Sequence, residues 1–288
     1  MKTWFRALIL ASIALVLAAG TAWAGEPADA LCVTCHEDLV KQFNANPHAR
    51  KGIMESDVAA CSSCHGNGAK HAEEGDKSLI SVPRGGAGAK ACLSCHEGAT
   101  DKAFTRFGGH ESADVFCGDC HVVHGGAVPA RALLKTAGSD LCFSCHAGQK
   151  HEFKKLFAHK VDGNGPGCVS CHNPHGGVDA KSLKVTRAGE PPCMACHQEK
   201  AGPFVFSHVT GIAGTCQSCH QPHGSNNPKM LTRARVDKVC FECHSTLTAS
   251  TLGAQPPSFH DSKNPRYQNC TVCHVAIHGS NSSPMLLK

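Results

Sequence analysis

All twenty cysteines of this 288-residue chain fall in one pattern, and a histidine follows every pair. The copies are Cys32-x-x-Cys35-His36, Cys61-x-x-Cys64-His65, Cys92-x-x-Cys95-His96, Cys117-x-x-Cys120-His121 and Cys142-x-x-Cys145-His146, then Cys168-x-x-Cys171-His172, Cys193-x-x-Cys196-His197, Cys216-x-x-Cys219-His220, Cys240-x-x-Cys243-His244 and Cys270-x-x-Cys273-His274. Such a run is the attachment site of c-type haem. Two thiols on one short turn add to the two vinyl groups along one porphyrin edge. The adjacent histidine then swings its imidazole under the iron as proximal ligand. Ten covalently attached haems are therefore expected. Structural zinc and a disulfide framework are the competing readings of paired cysteines. Neither explains a histidine after every pair.

The chain holds 21 histidines, and ten are used as proximal ligands. Eleven remain: His48, His71, His110, His124, His151, His159, His175, His208, His223, His260 and His278. Ten irons need ten distal ligands, so the count predicts two histidines on every iron. The motifs repeat in pairs about every 50 residues. One extra histidine lies between the two motifs of a repeat, usually after a phenylalanine, as in Phe157-Ala-His159, Phe206-Ser-His208, Phe259-His260 and Phe107-Gly-Gly-His110. Phe43 and His48 are a looser version. The second follows the even-numbered motif and precedes glycine: His124, His175, His223 and His278, with His71 displaced in repeat one. His151 is surplus. It is read as a solvated surface residue, the alternative being that it takes the place of His159.

Geometry limits the partners. His172 and His175 can be at most about 10 Å apart, too little to reach both faces of one porphyrin. His175 must then serve another haem, and so must His124, His223 and His278. The between-motif histidines follow their odd-numbered motif by a longer stretch. The expectation is that His48, His110, His159, His208 and His260 return to the odd-numbered haem of their own repeat.

Composition explains what such a chain can fold into. Both tryptophans, Trp4 and Trp23, lie in the first 24 residues. Those residues read as a secretory signal, with Lys2 and Arg6 before an apolar run and Ala22-Trp23-Ala24 as cleavage pattern. The alternative is an uncleaved anchor. The remainder has one tyrosine and eleven phenylalanines, too few for an ordinary aromatic core. Porphyrins are expected to fill the interior instead. The predicted fold is a multihaem cytochrome c, mostly loops and short α-helices around a linear haem array, with little or no β-structure. Residues 25–288 are expected to form one elongated domain of five two-haem repeats, at about 25–90, 91–139, 140–189, 190–236 and 237–288. Asp29, Asp140 and Asp237 precede motifs and are candidate N-caps. Phenylalanines beside the distal histidines are expected to pack on porphyrin faces. After signal removal, 26 basic residues face 23 acidic ones. That balance does not suggest nucleic acid. Haem propionates would bring the formal charge to roughly −7 oxidised and roughly −17 reduced.

Bis-histidine iron has no vacant position for a substrate, so it suits electron transfer rather than bond-making, and histidine in place of methionine keeps potentials low. A multihaem enzyme is the alternative. It would be expected to carry an atypical motif or an unpaired catalytic haem, and neither is evident.

Ten motifs in five doubled repeats, the segment Cys61-Ser-Ser-Cys-His-Gly-Asn-Gly-Ala-Lys-His71, and the Cys-x-x-Cys-His-x-Pro-His-Gly segments at 168–176 and 216–224 carry a family resemblance. Over 32–278 the chain resembles the MtrA/DmsE-type periplasmic decahaem cytochromes, including MtoA and PioA. His278, one residue late, departs from the x-x-His spacing. The resemblance implies a periplasmic wire inserted in an outer-membrane β-barrel similar to MtrB. It implies exchange of electrons with periplasmic or inner-membrane cytochromes on one side. On the other side stands an outer-surface multihaem cytochrome or metal itself, in metal reduction or iron oxidation. A free periplasmic shuttle is the alternative.

Overall fold

The computed structural model describes residues 30–49, 61–96, 109–125, 131–161, 163–176, 181–185, 189–208, 215–244 and 264–287. The signal segment, Asp29, Phe107 and His260 lie outside them. Among the described residues there are short α-helices, 3-10 turns and isolated β-bridges, but no strands. The longest described helix, Gly85–His96, has 12 residues. No described helix is long and apolar enough to cross a membrane. The predicted class of loops and short helices is thus borne out.

The attachment motif itself makes the recurring turn. The histidine N–H donates to the carbonyl of the first cysteine at 2.8–2.9 Å for His36, His146, His172, His197, His220, His244 and His274. This is one turn of i to i−4 bonding. The path of the chain beyond the turn differs between motifs. At the odd-numbered motifs His36, His146 and His197 have ψ of 36°, 57° and 51° and open a second helical segment: Glu37–Asn44, Ala147–Glu152 and Gln198–Lys200. At the sixth motif His172 is extended, with φ −107° and ψ 146°. It bridges to Leu183, as His220 of the eighth motif bridges to Leu231. These even-numbered motifs therefore fold back in a tight loop rather than running on.

Contacts group the chain into two units, Met1–Cys95 with His121–Pro129, and His96–Cys120 with Ala130–Lys288. In the first unit, the Asn46 side-chain amide donates to Val123 O at 2.7 Å. Gly125, at φ +101°, lies against Gln42, where a Cβ would come within 2.8 Å of the Gln42 Cβ. In the second, two-residue bridges join successive repeats. Phe157 pairs with Ser225, and Phe206 with Ser280. Each ties a Phe-x-His segment to the His-Gly-Ser segment of the next repeat. Their backbones, not only their rings, fix the histidines beside them.

Side-chain packing is thin, as the composition requires. Among the described residues the buried apolar side chains are Phe143 and Val239, each 8% exposed. The most buried side chain is charged: Asp237, 1% exposed, held by a two-pronged pair from Arg235 at 3.0 and 2.6 Å. The N-cap expectation needs correction here. Asp140 and Asp237 lie inside the first turns of Asp140–Phe143 and Val236–Cys240. The N-cap positions are Ser139 and Arg235, without side-chain cap bonds. The acids still face the positive end of the helix dipole. Asp237 is fixed chiefly by arginine, with the Lys238 backbone N–H contributing less.

Candidate haem-binding sites

Histidine rings meet in pairs, and each pair joins one motif histidine to one of the extra histidines. In the first unit the rings of His36 and His71 are stacked with centroids 6.2 Å apart, and those of His65 and His124 lie at 5.5 Å. In the second unit five more pairs form: His110 with His146 at 6.0 Å, His159 with His197 at 6.5 Å, and His172 with His223 at 6.1 Å. His208 meets His244 at 6.1 Å, and His220 meets His278 at 6.3 Å. Metal–imidazole bonds are about 2.0 Å long, so two rings on opposite sides of one ion have centroids roughly 6 Å apart. The spacing therefore fits an iron between each pair.

The outward ring nitrogens fit the same role. Nδ1 is hydrogen-bonded to Ser81 O in His65 (2.7 Å), Asp76 O in His71 (2.9 Å), Pro174 O in His110 (3.0 Å) and Pro222 O in His159 (2.8 Å). It meets Lys181 O in His172 (2.9 Å), Lys229 O in His220 (2.8 Å) and Met285 O in His274 (2.6 Å). His48 Nδ1 meets Asn46 Oδ1 at 2.8 Å, and His223 Nδ1 meets Glu152 Oε2 at 3.0 Å. These partners accept, so Nδ1 carries the proton and Nε2 keeps its lone pair for a metal. Left-handed residues aim several of the carbonyls: Ser182 (φ 50°) follows Lys181, Lys229 itself has φ 57°, and Leu286 (φ 57°) follows Met285. A non-glycine residue held there costs of order 1–3 kcal/mol. At each of these loops the left-handed residue coincides with a second bond that orients an imidazole.

The cysteines line up beside the rings. None of the twenty forms a disulfide. Among the described residues no three or more His, Cys, Asp or Glu converge as a metal-ion site. Consecutive motifs approach one another in chain order. Burial raises the Cys142 thiol to about 11, helped by the neighbouring Cys168 to which it is hydrogen-bonded. Burial likewise pushes Cys240 up to about 12, with Cys270 beside it. Cys193 is raised by burial and then by Cys216, and Cys171 by burial and then by Cys193 and Cys196. Burial followed by nearby thiols raises Cys219 (Cys243) and, in the first unit, Cys64 (Cys95). Cys120 is raised by burial and then Asp119, with Cys145 contributing less. In the second unit every motif from the fourth to the tenth thus neighbours the next.

The ring pairs correct one expectation. His159 does not return to His146 of its own repeat. It lies against His197 of the next, as His110 lies against His146 and His208 against His244. Between His146 and His159, and between His197 and His208, the chain first runs through a helical segment, Ala147–Glu152 and Gln198–Lys200. His124, His223 and His278 do lie against motifs other than their immediate neighbours. His278 occupies its place despite the extra residue. His151 is exposed. His48 is half-buried and His175 exposed, while His260 lies outside the described residues. Sequence reasoning missed the Nδ1 acceptors. One signal was available, the proline before His175 and His223, whose carbonyl is used.

A family model of the doubled Cys-x-x-Cys-His motif matches residues 110–151, 159–202 and 208–249. Each match begins at a between-motif histidine and contains the odd-numbered motif histidine that it faces. The chain is 32% identical over 268 residues to the multiheme cytochrome MtrA of Shewanella baltica, covering 87% of this chain and 78% of that protein. It is 27% identical over 188 residues to the C-type polyheme cytochrome OmcB of Geobacter sulfurreducens, covering 58% of this chain and 22% of that one. The ring pairs, the cysteine turns and these likenesses agree: the chain belongs to the MtrA family of multihaem c-type cytochromes, electron-transfer proteins that carry haem c.

Proposed function

We propose that the chain is a decahaem electron conduit in which two histidines hold every iron. The seven ring pairs carry this reading, because each sets one motif histidine against one extra histidine at 5.5–6.5 Å. Beyond those pairs stand three motif histidines, His96, His121 and His274, and four extra ones, His48, His151, His175 and His260; with the exposed His151 set aside as surplus, the numbers still match. Bound haem supplies a one-electron ferric–ferrous couple. The chain's own residues do the rest. Cysteines anchor the porphyrin edges, Nε2 atoms fill both axial positions, and Nδ1 bonds hold the rings in register. With both positions filled, no substrate can bind iron, which argues against an enzyme. Chain-order proximity of the cysteine turns supports stepwise transfer from motif to motif.

The wider setting is inferred from the relatives. The chain is exported on its signal segment to the periplasm. It lodges in an outer-membrane β-barrel similar to MtrB and passes electrons between periplasmic or inner-membrane cytochromes and an outer-surface cytochrome or metal. Large barrels can hold such a plug. Two measurements test this. The mass of the purified protein should show ten haems, with a wholly low-spin ferric spectrum; a high-spin haem would refute two-histidine ligation. Affinity purification from membranes should recover a barrel of about twenty or more strands. Isolation only as a barrel-free monomer would overturn the conduit in favour of a shuttle.

A further inference from the structure

All but one of the Nδ1 hydrogen bonds described above end on neutral carbonyl oxygens. That of His223 ends on a carboxylate, Glu152 Oε2, at 3.0 Å. The contact is built rather than incidental. Glu152 closes the helix Ala147–Glu152. Its main chain is pressed against Gly224, where a Cβ would collide with Glu152 O. The next residue, Phe153, packs its ring 5.2 Å from the His223 imidazole. The same carboxyl faces Lys155 Nζ at 3.7 Å from Oε1.

We propose that Glu152 is a positioning residue that sets the reduction potential of the haem anchored at Cys168 and Cys171, holding it lower than a neutral partner would. This rests on the reading that His172 and His223 ligate the same iron. A carboxylate on Nδ1–H draws the proton toward itself and makes Nε2 a stronger electron donor, which favours ferric over ferrous iron. Its negative charge acts in the same direction, since the ferric centre carries one positive charge and the ferrous centre none. When this iron takes one electron from an adjacent haem, which is thereby oxidised, the carboxylate opposes the uptake. No proton needs to move. Lys155 offsets part of the charge.

The test is a spectroelectrochemical titration of the holoprotein and its variants. E152Q keeps an oxygen that accepts the Nδ1–H bond but removes the charge. One haem of ten should shift its potential upward, its oxidised-to-reduced ratio at a given applied potential falling about tenfold, which is about 59 mV for a one-electron couple. The other nine should stay in place. K155Q should move the same haem the opposite way, by less. A merely structural role would not give shifts of opposite sign. H223A marks the haem concerned by turning it high-spin. If H223A leaves the spectrum low-spin, the ligation reading fails. If H223A turns one haem high-spin but the E152Q titration superimposes on the parent, the proposal about Glu152 fails alone.

Discussion

A metal-bound imidazole almost always donates its other ring N–H to an acceptor, and the Nδ1 bonds of the described histidines fit that pattern. The pairing of His159 with His197 gives a direct test. H159A should convert one haem in ten to a high-spin ferric signal. Deleting the haem at Cys193 and Cys196 in that background (C193A/C196A) should abolish the signal. Deleting the one at Cys142 and Cys145 should leave it; the reverse result would return His159 to its own repeat. Asp237 poses a second test at this scale. The Arg235 guanidinium beside it holds its carboxyl below the usual range. A depressed carboxylate contributes stability above its ordinary value that is lost as pH falls through the lowered one. R235Q should therefore be less stable than the parent near neutral pH. The gap should close in acid, below the ordinary carboxylate range, as measured by denaturant unfolding across pH. An unchanging gap would mean that the pair acts through packing alone.

At the scale of the element, glycine after the distal histidine lets one repeat cross the next. Gly224 sits at φ +144° with Glu152 O in its Cβ position. Gly66 sits at φ +72° with nothing within 4 Å. G66A should cost about 1–2 kcal/mol, the left-handed penalty. G224A adds a backbone collision and should cost more, about 3 kcal/mol in all. Equal losses in chemical denaturation would show that the close approach at Gly224 relaxes freely. The helical turn of each attachment motif was legible from its residues, because i to i+4 spacing is local. The path beyond the turn was not. His146 and His172 follow the same five-residue pattern, yet one leads into a helix and the other into a bridge. Only the chain beyond each motif separates them.

At the scale of the whole molecule, the proposed conduit predicts a redox path that follows chain order. Within the second unit, removing the haem at Cys193 and Cys196 deletes the turn that neighbours both Cys171 and Cys216. In a barrel-bound assembly, C193A/C196A should cut electron transfer across the membrane at least tenfold, while the remaining haems still reduce in solution. Undiminished transfer would show that electrons do not pass through the haems in single file.

The kind of cofactor was legible in the sequence, because covalent haem attachment demands fixed residue types at fixed spacing. The repeated Cys-x-x-Cys-His run names haem c without any fold. The partner of each histidine was decided by tertiary structure. A between-motif histidine has enough chain to reach its own haem or the next, so spacing alone cannot choose. The choice comes from the bridges Phe157–Ser225 and Phe206–Ser280 and from the carbonyls that orient the rings. These are long-range contacts between repeats, and they set the histidines of one repeat against the motif turns of a neighbouring one.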